Sequence, residues 1–252
     1  MLYIPEFDYK HNGIPILSYY QIDAWGEKIV HDLFPQNYAD HPDATNLKRI
    51  FSELKNWHFA GRYLSRSGTL LGLATFGGGQ LEITDAARYS VKTASIPPRT
   101  ILVDRSLFHE KYEHTFRFVL AHEIGHALMH ERFCRIPENM EKYDAQGQAA
   151  IQDDEAKLYV FEKKQHLMTE RDWIEWQANA FASALLMPKT AVSSLAEIAR
   201  QDSDSPMEFA NQLNTLIVDV LRVSITAAFY RIKRLGYISE ESVLQKNGII
   251  SL

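Results

Sequence analysis

Two histidines one helical turn apart constrain this chain more than any other feature. His122-Glu123-Ile124-Gly125-His126 lies inside a helical pattern that runs from Tyr112 to Arg132, with Phe116, Val119, Leu120, Ala127 and Leu128 as its apolar stripe. On a helix, residues i and i+4 lie on one face. Two rings at that spacing can converge on one metal ion at about 2.0–2.1 Å each. Glu123 projects about 100° further round the same helix. It is poorly placed as a third ligand beside the rings, and can instead reach a water activated by the ion and act as general base. An imidazole pair with one carboxylate suits zinc. The bland alternative is a pair of satisfied core histidines. Gly125 argues against it, because glycine costs a helix about 1 kcal/mol relative to alanine, a cost that makes sense where another group approaches closely.

A third ligand has to come from elsewhere. His130 continues the i+4 series, but it sits two turns from His122, about 12 Å along the axis. One ion cannot span that distance, so His130 reads as a supporting or surface histidine. The metzincin spacing, with a distant third histidine after a glycine, does not match either. Glu175 is the better candidate. It lies on a helix predicted from Trp173 to Met187, and Ala178, Asn179 and Ala182 follow it. Small residues on that face would let the two helices pack closely. By spacing alone, Glu131, Glu155, Glu162 and Glu170 are also available.

The rest of the chain supplies the frame. Amphipathic helices are predicted over 18–34 and 45–60. Leu70 to Phe76 and Leu81 to Thr84 read as strands joined through Gly77-Gly78-Gly79, with a third strand at Thr100 to Asp104. A phosphate-cradling role for the glycines is weak, because no Gly-Lys-Ser/Thr follows. Residues 133–170 are polar and read as an insertion. Ser205-Pro206-Met207-Glu208 opens a helix to about Arg222, and Ser224 caps a last one that ends at Gly236. That last pair could be a helix-turn-helix with Arg222, Arg231, Lys233 and Arg234 facing phosphate. A net charge of -5, from 27 basic and 32 acidic residues, favours an ordinary packed hairpin and disfavours nucleic acid as a partner. The single cysteine, Cys134, leaves no internal disulfide. Neither a basic-then-apolar leader nor an apolar run near ~18 residues is present, so the expected location is the cytoplasm, away from membranes.

Two motifs resemble the ImmA/IrrE family of metallopeptidases. Arg117-Phe118-Val119-Leu120-Ala121-His122-Glu123-Ile124-Gly125-His126-Ala127-Leu128-Met129-His130 is similar to the family's R-F-T-x-A-H-E-L-G-H, a short apolar run and a histidine. Glu175-Trp176-Gln177-Ala178-Asn179-Ala180-Phe181-Ala182-Ser183-Ala184-Leu185-Leu186-Met187-Pro188 resembles its E-x-x-A-N-x-F-A-x-x-L-L-M-P. A weaker echo lies in Val223-Ser224 and Arg231 to Gly236. The resemblance covers roughly residues 45–240, and it implies zinc on His122, His126 and Glu175 with Glu123 catalytic. It also implies a protein substrate, of the class of helix-turn-helix repressors. A catalytically silent relative, acting as a protein- or DNA-binding regulator or a toxin–antitoxin component, is the alternative. Two departures stand out: 48 residues separate His126 from Glu175, and the first forty residues have no clear family counterpart. The expected architecture is α+β and mainly helical, with a small three-stranded sheet before the H-E-x-x-H helix and a C-terminal helical hairpin. Residues 1–200 would form the metallopeptidase domain, with the insertion 133–170 inside it, and 201–252 a C-terminal helical subdomain.

Overall fold

The computed structural model describes residues 2–35, 41–136, 138–139 and 169–238. Most of the insertion read at 133–170 lies outside the described residues, and so do Tyr143, Tyr159 and His166, the side chains that the sequence of that insertion offers for stabilising an oxyanion. The architecture is α+β and mainly helical.

At its centre is α3 (Glu113–Met129), in which every residue from Phe118 to Met129 except Leu128 is buried. A helix buried all round needs cover on every side. On one side it packs against two strands, β2 (Gly72–Thr75) and β5 (Thr100–Asp104). On another lies α5 (Glu170–Leu186), which is covered in turn by α1 (Tyr19–Leu33). Both of these outer helices start on a reciprocal cap. Ser18 pairs with Gln21, and Thr169 with Asp172, so orphan backbone N–H groups at each start are satisfied. Close packing of α1 on α5 depends on Gly26, where a Cβ would lie 2.7 Å from that of Ala184.

The sheet departs from the sequence expectation. β5 is buried along all five residues, as expected of a central strand needing a partner on each edge. β1 (His58–Arg62) runs parallel to it on one edge, and β2 runs antiparallel on the other. The three-stranded sheet therefore has the order β1-β5-β2. β3 (Gly79–Thr84) pairs with β4 (Val91–Ile96) as a separate two-stranded ribbon. The glycine run thus joins two sheets and does not close a hairpin, which corrects the reading above. The real hairpin turn is Asp85 to Ser90. Its signal is weak because it contains no glycine and uses Arg88 at a positive φ of 61°.

The helix expected at 45–60 is also shorter. α2 spans only Leu47–Ser52, a left-handed Asn56 (φ 63°) redirects the chain, and the remainder becomes β1. A short α4 (Glu131–Cys134) follows α3.

Three helices complete the chain: α6 (Lys189–Gln201), α7 (Pro206–Leu221) and α8 (Ile225–Arg234). The sequence reading missed α6, because Pro188 both ends α5 and sits at the N-cap of the next helix. α7 and α8 meet at 119° across Arg222, which adopts a left-handed conformation. Their buried residues Leu213, Ile217, Leu221, Ala227, Ala228 and Ile232 belong to the same apolar cluster as α1, α3 and α5. Arg231 does not face outward as a phosphate-binding residue would. It is 1% exposed, with Nη1 2.6 Å from Asp23 Oδ1 and Nε donating to the Met187 carbonyl at 2.9 Å. Arg222 pairs with Glu113 at 3.2 Å, and Arg234 lies over the Tyr19 ring. Among the described residues no single helix is long and apolar enough to cross a membrane.

Candidate metal centre

The site forms where α3 and α5 come closest. At Gly125 an added Cβ would sit 3.2 Å from Phe181 Cδ1 and 3.3 Å from Ala178 Cα, so the two helices pack almost backbone to backbone there. The i, i+4 spacing turns His122 and His126 toward α5, and Glu175 stands one turn before Ala178 and Asn179 to face them. His122 Nε2 lies 2.9 Å from His126 Nε2 and 3.2 Å from Glu175 Oε2, and His126 Nε2 lies 3.6 Å from Glu175 Oε1. Four-coordinate zinc with bonds near 2.0–2.1 Å has ligand–ligand edges of about 3.3 Å. The three observed separations bracket that edge, so these atoms could hold one such ion. Glu131 and Glu170, two of the alternative acids, are occupied elsewhere, by Arg99 and Arg135 and by Asn12 respectively. Glu155 and Glu162 lie outside the described residues.

Each ring is anchored through its other nitrogen. His122 Nδ1 is 2.8 Å from Asn179 Oδ1, an oxygen that can only accept. The proton therefore sits on Nδ1 and the Nε2 lone pair faces the cluster. His126 Nδ1 lies 2.9 Å from His130 Nδ1, and His130 Nε2 lies 3.0 Å from Gln177 Oε1. Gln177 Nε2 donates to the Pro15 carbonyl at 2.7 Å. His130 is fully buried behind His126, so it supports the site from within and is not a surface histidine. Gln177 and Pro15 escaped the sequence reading. The only available signal was the place of Gln177 inside the second motif; its partner Pro15 is 162 residues away and has none.

Glu123 leaves α3 on the sheet side. It is 3% exposed, and its Oε1 comes so near β2 that a Cβ on Gly72 would meet it at 2.5 Å. Burial pushes its pKa up; the nearby charges of His122 and His126 and a backbone hydrogen bond from Ala74 pull the other way without cancelling the rise. Burial likewise opposes charge on Glu175, but the charge of His126 and the close approach of both rings outweigh it and hold the carboxyl well below its usual range. For His122, burial disfavours the cation, yet the neighbouring Glu175 carboxylate prevails and its pKa is raised. Burial takes His130 down to about 3, so that ring is neutral.

The arrangement thus offers a carboxylate that stays ionised, two rings whose Nε2 atoms converge on it, and a second carboxyl whose proton affinity is raised. Compared with known families, residues 152–233 match the model of the IrrE N-terminal-like domain of peptidase family M78. The match includes Glu175, Gln177 and Asn179 and begins after α3. No curated protein matches the chain.

Proposed function

Because this chain carries a domain of the ImmA/IrrE family of metallopeptidases, we propose that it is a zinc-dependent endopeptidase that cleaves a regulatory protein. His122, His126 and Glu175 would hold the ion, and the observation that carries the reading is the convergence of their three ligand atoms from two helices. Zinc in this position supplies Lewis-acid activation of water and of a peptide carbonyl. Glu123 is the general base. It takes a proton from the attacking water as the oxygen adds to the scissile carbonyl carbon, and returns that proton to the amide nitrogen as the C–N bond breaks. A carboxyl with raised proton affinity suits this shuttle, because it must keep the proton between the two transfers. Asn179 keeps the His122 ring in the tautomer that exposes Nε2.

The proposed substrate is a helix-turn-helix repressor encoded beside this chain, a class that follows from the family. The test is to incubate that neighbouring product with wild type and with Glu123→Gln, each with and without chelator. Zinc is expected at about one per chain in both proteins, with cleavage by the wild type alone and its loss on chelation. Cleavage by Glu123→Gln would remove the base assignment. Zinc binding without cleavage of any repressor would favour the silent, regulatory relative.

A further inference from the structure

The hydrogen bonds behind His126 have a direction that can be read from one end. The Pro15 carbonyl can only accept, so the Gln177 amide, 2.7 Å away, must donate to it through Nε2. That turns Oε1 of Gln177 toward His130, whose Nε2 at 3.0 Å must then carry a proton. A neutral imidazole has one N–H, so Nδ1 of His130 is a lone pair. The nitrogen facing it is Nδ1 of His126, at 2.9 Å, which is therefore the donor. His126 is left with its lone pair on Nε2, the atom that faces His122 and Glu175. Pro15, Gln177, His126 and His130 are all buried, so water does not compete for these bonds.

The far end of the chain of bonds is held firmly. Ile14 is fully buried against Phe133 and Ile174. Asn12 donates to Glu170 at 3.1 Å, and its carbonyl accepts from Asn139 at 2.8 Å. Gly13 has φ of 83° and lies so near the Arg132 backbone that a Cβ would meet it at 3.0 Å. A segment outside the family match thus ends on the atom that orients Gln177.

We propose that Gln177 and His130 are positioning residues that transmit the hold of the N-terminal segment onto His126, fixing its tautomer and ring direction so that Nε2 is presented to the metal. The proposal rests on the ligand reading given above.

The test uses the full chain and inorganic zinc, with affinity measured by competition against a chromophoric chelator. Gln177→Met and His130→Phe are each expected to weaken zinc by about ten- to a hundredfold. His130→Gln, whose amide can accept from His126 and donate to Gln177, is expected to recover most of that loss. In the unmodified chain, ring-nitrogen NMR should find the His130 proton on Nε2. A proton on Nδ1, or unchanged affinity in folded Gln177→Met and His130→Phe, overturns the proposal. Where a variant fails to fold, the NMR result decides. Zinc binding that is lost in His122→Ala yet untouched in Gln177→Met removes this proposal alone. Zinc binding that survives His122→Ala removes the ligand reading and this proposal with it.

Discussion

A methyl group at Gly72 would lie 2.5 Å from Oε1 of Glu123 and 2.7 Å from Cγ1 of Val119. Gly72→Ala is therefore expected to displace the Glu123 carboxylate, lowering turnover at least tenfold, the equivalent of about 1.4 kcal/mol, while zinc content stays near one per chain. Wild-type turnover in the folded variant would show that Glu123 does not need this pocket. Cys134 gives a pH-dependent check. Burial first, and the charge of Glu131 second, push its thiol up to about 12 from 9.0. The unfolded chain therefore loses this proton at lower pH than the folded one, so stability falls as pH rises from about 9 toward 12. At pH 8 alkylation of native Cys134 should run about a thousandfold slower than in urea; equal rates by mass spectrometry would place the thiol in solvent. At this scale the juxtaposition of His122, Glu123 and His126 was legible, because a spacing of four residues is a local fact about one helix. Glu175 needed the second motif to separate it from its rivals. The setting of Glu123 against β2 had no local signature, since Gly72 precedes it by 51 residues and only folding brings them together.

The relation between α3 and α5 decides whether there is a centre at all. Ala178 is fully buried opposite Gly125. Ala178→Leu must push the helices apart, at a cost of about 1–3 kcal/mol in stability, and is expected to reduce zinc affinity at least tenfold with helicity by circular dichroism retained. Wild-type affinity in that variant would mean that the close approach is not what sets the ligand separation. Helices with strong caps were legible: Ser18, Ser205 and Ser224 each accept from a backbone N–H at the starts of α1, α7 and α8. Strands were less so. The pattern at β1 reads as the end of a helix and that at β4 carries no strand signal, because a strand is stabilised by its neighbours and those lie far along the chain. β5, apolar at Ile101, Leu102 and Val103, was visible because burial on both faces leaves a continuous apolar run.

Across the whole molecule, Arg231 ties three parts of the chain together: Asp23 and Tyr19 of α1, the Met187 carbonyl after α5, and α8 itself. Arg231→Ala is expected to cost about 3 kcal/mol, since it removes a fully buried cation and leaves the half-buried Asp23 without its partner. Urea unfolding measures this, and a loss below about 1 kcal/mol would make the cluster incidental. Sequence alone could not place Arg231 inside, because a basic residue near a helix end is usually solvated. The ligand set has a consequence at the same scale. With 48 residues between His126 and Glu175, a bound ion would act as a cross-link closing a long loop. The entropy of closing such a loop grows only with the logarithm of its length, so each doubling costs about 0.6 kcal/mol. Descendants of this chain could therefore lengthen or trim the intervening stretch with little effect on how tightly the ion is gripped.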